Sequence, residues 1–232
     1  MTDFSGLPDQ DSPFRSTLRQ LGEALLDLIF PPRCVGCNRP GSLLCETCQA
    51  KLHVPAPMVN PRGALSERRA TADFEGAIQQ AIHRLKYENQ PRLAVPLAAR
   101  LADEYQRSGW KATLITAAPM HEARLKQRGY NQAAILASHL ARRIAIPFHP
   151  EAISRTRDTR AQVGLNYKDR QNNVADAFTA DSAVCAEQYI VIVDDVYTTG
   201  ATLDACAAAL RAAGAADVRA LTVAAARDRA LA

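Results

Sequence analysis

The chain has no run of about 18 uncharged apolar residues, the length a helix needs to cross a bilayer, so no membrane insertion is expected. Its opening residues, Thr2, Asp3 and Phe4, place no basic segment ahead of an apolar run, so no secretion signal is expected either. Aromatic residues are few, 6% with one tryptophan, which limits the stacking platforms a nucleic-acid binder relies on. Strong charge of one sign is also missing: the net charge of +4 is too small by itself to argue for a polyanionic partner. Neither the G-x-x-x-x-G-K-[ST] loop nor the G-x-G-x-x-G turn occurs, which removes two common phosphate-binding classes. Cysteine is present, but not in the even spread of a disulfide framework: four of the six lie between residues 34 and 48. These absences leave a cytoplasmic globular protein as the expectation.

What is present fits one core domain with a small appendage: 232 residues, 47% hydrophobic and 22% charged. Residues 1–14 read as a frayed tail. Leu18, Leu21, Leu25, Leu28 and Ile29 follow at the spacing of one helix face, ended by Pro31 and Pro32. Residues 53–63, with Pro55, Pro57 and Pro61, read as a linker or edge segment. Beyond them, helical patterns over Phe74 to Leu85, Leu93 to Tyr105, Gln132 to Ile144 and Ala201 to Ala213 alternate with apolar runs. Those runs, Leu114 to Ala118, Tyr189 to Val193 and Val218 to Ala224, read as strands. The alternation argues for a parallel α/β sheet flanked by helices.

Cys34-x-x-Cys37 and Cys45-x-x-Cys48 are separated by seven residues. Two such pairs on a short connector can wrap four thiolates around one metal, and tetrahedral zinc is the natural occupant, with an iron site as the alternative. A closed four-sulfur site has no open position for catalysis, so its role is structural. The segment is too short for its own core, and metal binding supplies its folding free energy. His53 lies just outside a site that four cysteines already fill. Cys185 and Cys206 read as core thiols.

The most informative stretch runs from Val191 to Thr202. An apolar strand passes straight into Asp194 and Asp195, at the carboxyl end where open α/β sheets place their ligands. Thr198, Thr199 and Gly200 then turn into a helix beginning Ala201-Thr202. A helix start offers unpaired N–H groups and the positive end of the dipole, which suit a phosphate. Gly200 lets backbone approach a ligand closely. Carboxylates beside it suit ribose hydroxyls. A ribose 5-phosphate meets both needs at once. The bland reading, Thr198 or Thr199 as a helix cap with Asp195 favouring the helix N-terminus, explains each feature singly but not their order.

This stretch resembles the binding motif for phosphoribosyl pyrophosphate (PRPP) of type I phosphoribosyltransferases. The rest of the chain resembles the ComF family, competence-associated phosphoribosyltransferase-like proteins with an N-terminal zinc ribbon. The resemblance spans nearly everything from Cys34 to Ala226. It is carried by Pro119, His121, Arg124 and the Arg128-Gly129-Tyr130-Asn131-Gln132 element, and by Arg157, Thr159, Gln162, Leu165, Arg170 and Asn173. It implies three parts: a tail and helix over 1–30, a zinc ribbon over 31–56 and a phosphoribosyltransferase-like domain over 57–232. It implies that Asp194 and Asp195 hold the ribose hydroxyls and organise Mg²⁺, while Thr198, Thr199, Gly200, Ala201 and Thr202 cradle the 5-phosphate. Arg124, Arg128 and Arg170 would face PRPP, with Arg128 and Arg157 joining the acidic pair in catalysis. Two departures stand out. Glu88-Asn89 replaces a glycine after Lys86-Tyr87, and asparagine tolerates the left-handed turn needed there. Ala118 and Met120 flank Pro119 where valine and leucine are expected.

Residues 154–173 hold five basic and two acidic residues, and Arg124, Lys126 and Arg128 face a single acid, Glu122. Such runs read as a solvated basic surface, as a track for single-stranded DNA with Tyr130 and Tyr167 stacking bases, or as a clamp for leaving pyrophosphate. The resemblance makes residues 155–173 a hood that closes over PRPP and excludes water. Two functions follow. One is an enzyme that transfers a phosphoribosyl group with Mg²⁺ and releases pyrophosphate. The other is a PRPP-sensing or single-stranded-DNA module that works with competence or DNA-processing proteins. Tyr87, Tyr167 and His121 are placed to meet an acceptor, but none identifies it.

Overall fold

The computed structural model describes residues 30–60, 62–155 and 177–226. The helix expected over Leu18 to Ile29 lies outside these residues. So do Arg157, Arg170, Tyr167 and the remainder of the expected hood between residues 156 and 176.

Along the chain come helix α1 (Glu46–Gln49), strands β1 (Met58–Val59) and β2 (Glu67–Ala70), helices α2 (Gly76–Tyr87) and α3 (Ala94–Ser108), and strand β3 (Leu114–Ala117). Helices α4 (Glu122–Arg128) and α5 (Gln132–Ile144), strands β4 (Ile153–Arg155) and β5 (Phe178–Ala180) and helix α6 (Ser182–Cys185) follow. Strand β6 (Tyr189–Tyr197), helix α7 (Ala201–Ala212) and strand β7 (Asp217–Ala225) complete the described chain. The main sheet has the order β1-β2-β7-β6-β3, parallel throughout except for β1 on its edge. β4 and β5 form a separate antiparallel pair, which brackets the residues expected to form the hood.

β6 and β7 sit at the centre because both are nearly continuous apolar runs, the pattern of strands buried on two faces. Ile190, Ile192, Val218 and Leu221 are fully buried. Helices α3 and α5 pack on one another and on the sheet through Leu97, Leu101, Leu136 and Leu140. Helix α5 begins where sequence spacing placed it, because Asn131 caps it: its Oδ1 accepts from Ala133 N–H at 3.0 Å while its Nδ2 donates to Ala118 O at 3.1 Å. The segment after α2 turns at Asn89, whose φ of 48° is the left-handed conformation expected of it.

Two elements differ from the sequence reading. β6 runs on to Tyr197, four residues past Val193, because its ladder with β7 continues through Asp194↔Thr222 to Tyr197↔Ala225. The acidic pair therefore lies inside a strand rather than after one. β2, Glu-Arg-Arg-Ala, has no apolar alternation to reveal it. Its charges are half-buried and paired instead: Arg69 binds Glu67 at 2.6 Å and Glu104 at 3.1 Å and packs on Trp110.

Candidate functional site

Neighbouring residues of a strand point to opposite faces, and the acidic pair divides accordingly. Asp195 is 3% exposed, and its Oδ1 lies 2.8 Å from Lys86 Nζ, in the last turn of α2. Its other oxygen, Oδ2, is buried with no hydrogen-bond partner among the described residues. Asp194 is half-buried, and its Oδ1 accepts from Asp195 N–H at 2.8 Å. Burial, then the charge of Asp195, push the Asp194 carboxyl up to about 8, against the pull of Lys86. Burial and Asp194 together raise the thiol of Cys206 in α7.

The strand leads into Thr198 and Thr199, both exposed, and into Gly200, whose φ of 83° is left-handed. Gly200 caps α7 without a side-chain bond, and Thr199 Oγ1 accepts weakly from Ala201 N–H at 3.4 Å. With Thr202 also exposed, the helix start presents N–H groups and hydroxyls to one side, the donor set of an anion site.

Arg68 of β2 stands against this turn. A Cβ on Gly200 would collide with Arg68 Nη1, so the guanidinium occupies the space a side chain would need. It is held there by stacking on Tyr197 at 5.0 Å and by an Nε contact to Met58 Sδ at 3.2 Å. The carboxylate of Asp204 in α7 is 4.0 Å away. An arginine so weakly paired keeps charge available to an anion on the turn.

The element from His121 to Gln132 forms α4 and its exit. His121 Nδ1 caps α4 by accepting from Ala123 N–H at 3.2 Å. Arg124 and Lys126 are exposed on the helix. Arg128 packs over the Tyr87 ring at 5.3 Å, and Tyr130 donates to the Leu85 carbonyl. The Leu85-Lys86-Tyr87 end of α2 is thus fastened on both sides of the lysine that reaches the acidic pair.

The structure brings together Asp194, Asp195 and the Thr198 to Thr202 turn, and sets Arg128 on the α2 end that holds Lys86. Arg124 stays on the exposed face of α4, and Arg157 and Arg170 lie outside the described residues. Sequence reasoning missed Arg68 and Lys86. Arg68 sits in a strand without apolar pattern. Lys86 entered the sequence reading only through the Lys86-Tyr87 pair of the family resemblance, just past the helix expected over Phe74 to Leu85, with no role at the site.

At the other end of the chain, the sulfurs of Cys34, Cys37, Cys45 and Cys48 all lie within 4.8 Å of one another. Burial opposes ionisation of Cys34, but N–H groups of Cys45, Cys37 and Gly36 outweigh it and hold that thiol down to about 6. Four converging sulfurs with a stabilised thiolate fit a structural zinc. Gly36 touches α2 so closely that a Cβ would meet Ala77 Cβ at 2.7 Å, so the ribbon docks on that helix. His53 turns away to Asp73, at 2.7 Å, and Cys185 and Cys206 are buried in the core as expected.

Residues 130–232 match the phosphoribosyl transferase domain family, and residues 25–62 match the double zinc ribbon domain family. The DNA utilization protein YhgH of Escherichia coli K12 is 30% identical over 195 residues, covering 80% of this chain and 86% of that protein. Competence protein F of Haemophilus influenzae Rd is 33% identical over 147 residues, covering 60% of this chain and 63% of that protein. Among solved structures, the glutamine PRPP amidotransferase of B. subtilis overlaps 56% of this chain and 26% of its own, with a TM-score of 0.41 and 20% identity.

Proposed function

Because the chain belongs to the ComF family of phosphoribosyltransferase-like proteins, we propose that the turn between β6 and α7 binds a phosphoribosyl compound, PRPP first among them. The observation that carries this reading is the α7 start beside an acidic pair that keeps a buried oxygen without a hydrogen-bond partner among the described residues. Thr198, Thr199, Gly200, Ala201 and Thr202 hold the 5-phosphate through backbone N–H groups and hydroxyls, with Arg68 adding charge from β2. Asp194 and Asp195 take the ribose hydroxyls. Asp195 Oδ2 also fits a hard cation, and Mg²⁺ bound with the ligand would neutralise charge on the departing pyrophosphate.

In the reaction, the bond from ribose C1 to pyrophosphate oxygen breaks with its electrons on the oxygen. A nitrogen nucleophile forms the new bond to C1 and gives up its proton. The protein's share is electrostatic: Arg124 and Arg128, with Arg157 and Arg170 of the hood, face the negative charge of the leaving group. On this reading residues 31–56 form the ribbon, 57–232 the catalytic domain and 1–30 a tail and helix. The protein works in the cytoplasm, in DNA utilisation or competence, alongside DNA-processing proteins. No helix of the described residues is long and apolar enough to cross a membrane.

Calorimetric titration of the zinc-loaded protein with PRPP, with and without Mg²⁺, tests the site. Binding that Mg²⁺ strengthens, and that Asp194→Asn with Asp195→Asn removes, is the expected result. Unchanged binding by that double variant would sink the assignment. Pyrophosphate release on screening nitrogen acceptors then tests turnover.

A second reading, a non-catalytic PRPP sensor or single-stranded-DNA module, draws on one feature. Tyr87 is 67% exposed, lies 5.0 Å from the His83 ring and packs under Arg128, with Arg124 and Lys126 exposed nearby. Affinity for single-stranded DNA that falls steeply with salt and with Tyr87→Ala favours it.

A further inference from the structure

The two carboxylates of β6 are adjacent at a buried strand end, and a cation already stands beside them before any ligand arrives. Lys86 reaches in from α2 and takes Asp195 Oδ1 at 2.8 Å. Its side chain is only 21% exposed, and that of Asp195 is 4% exposed, so this is a largely desolvated pair rather than a surface ion pair. The helix end that carries the lysine is fixed on both sides. Tyr130 holds the carbonyl of Leu85 on one side of it, and Arg128 covers the ring of Tyr87 on the other.

The phosphoribosyl reading gives those same carboxylates a divalent cation as partner. A lysine ammonium and a metal ion make opposed demands on Asp195: each wants the carboxylate charge, and two cations within a few ångströms of one another repel strongly where water is excluded. Lys86 leaves Asp195 Oδ2 without a hydrogen-bond partner among the described residues, so the ion pair is neutralised without being fully satisfied. A site arranged this way binds metal poorly alone. The many negative charges of a bound PRPP overcome the repulsion and let the metal in.

We propose that Lys86 is the resident counter-cation of the acidic pair, holding Asp195 in the free protein and competing there with divalent metal, so that metal enters with the phosphoribosyl ligand and not before it. This rests on the phosphoribosyl reading of the β6–α7 turn. Lys86 acts here as a positioning residue: it sets the charge of the site through Asp195. A purely structural lysine, one that only ties α2 to β6, would alter stability and leave metal affinity alone.

Mn²⁺ is the probe, followed by the electron paramagnetic resonance signal of the free ion, on protein whose cysteine cluster is already loaded with zinc. The wild type is expected to bind Mn²⁺ weakly in the absence of PRPP. Lys86→Met is expected to bind it about tenfold or more tightly, the consequence of removing one unit charge beside a buried carboxylate. Lys86→Arg, which keeps the charge, should stay with the wild type, and Asp195→Asn added to Lys86→Met should cancel the gain. Stripping the partner from a buried carboxylate can prevent folding. Lys86→Gln, which keeps a hydrogen-bond donor without the charge, then gives the same comparison. Equal Mn²⁺ affinity in the wild type and the charge-free variants overturns the proposal. PRPP titration of the wild type is the separate control: failure there removes the phosphoribosyl reading, while the Mn²⁺ comparison still decides what Lys86 does.

Discussion

At the scale of single residues, Asp194 shows what the site costs the fold. Burial and the neighbouring Asp195 raise its carboxyl from 3.8 to about 8. Between those values the folded chain keeps a proton that the unfolded chain has lost. Stability therefore declines as pH rises from about 4 to about 8, since the unfolded state binds fewer protons throughout that window. Asp194→Asn removes the titrating group and keeps an oxygen to accept from Asp195 N–H. In magnesium-free buffer the variant should melt close to the wild type near pH 4 and above it near pH 8, by about 2–4 °C for each kcal/mol recovered. Melting curves across that range check it, and a gap that does not widen with pH would mean the carboxyl is not strained. The gain in stability should come with loss of PRPP binding, as expected where a charged site is kept for function.

At the scale of elements, the turn from β6 into α7 can be dissected through Gly200. Alanine there meets two separate penalties. The left-handed φ costs about 1 kcal/mol, and the added Cβ collides with Arg68 Nη1. Gly200→Ala should lower both the melting temperature and PRPP affinity. Arg68→Ala alone should weaken PRPP binding by about tenfold, the value of one charge-assisted contact, with little effect on folding. In the double variant the collision is gone, so Gly200→Ala should cost less stability than it does in the wild type. A strictly additive cycle would show that the guanidinium does not press on the turn. Much of this element was legible in advance. The apolar run, the paired acids, the threonines and the glycine stand in an order that simple helix capping does not explain, and the spacing from Gln132 to Ile144 placed α5. The ends of strands were less legible: β6 continues through two aspartates because ladder bonds to β7, not side-chain polarity, decide where it stops. Arg68 and Lys86 were hidden for a related reason. Each is remote in sequence from the motif, and only the parallel crossing of β2, β7 and β6 and the return of α2 bring them to it.

At the scale of the molecule, α2 joins the two ends of the chain's chemistry. Its first turn meets the cysteine ribbon through Ala77 and Gly36, and its last turn carries Lys86 to Asp195. Val35 and Leu44 of the ribbon share one core with Ile78, Ile82 and Leu85 of the helix. A rigid helix of 12 residues spans about 18 Å, so a shift at one end is felt at the other. Without metal the four sulfurs lose the ion that draws them together, and a ribbon this short cannot hold its shape by apolar burial alone. Removing zinc should therefore do more than unravel residues 34–48. It should uncover the ribbon side of α2, lower the melting temperature of the whole domain and loosen the lysine's grip on the acidic pair. Titration of PRPP into zinc-depleted protein should give weaker binding than into zinc-loaded protein, and restoring zinc should recover it. Cys45→Ser should reproduce the depleted state without a chelator. A lower melting temperature with unchanged PRPP affinity would separate the two ends and leave the ribbon as a stabiliser only. A fall in both, reversed by zinc, would make the ribbon part of what positions the site.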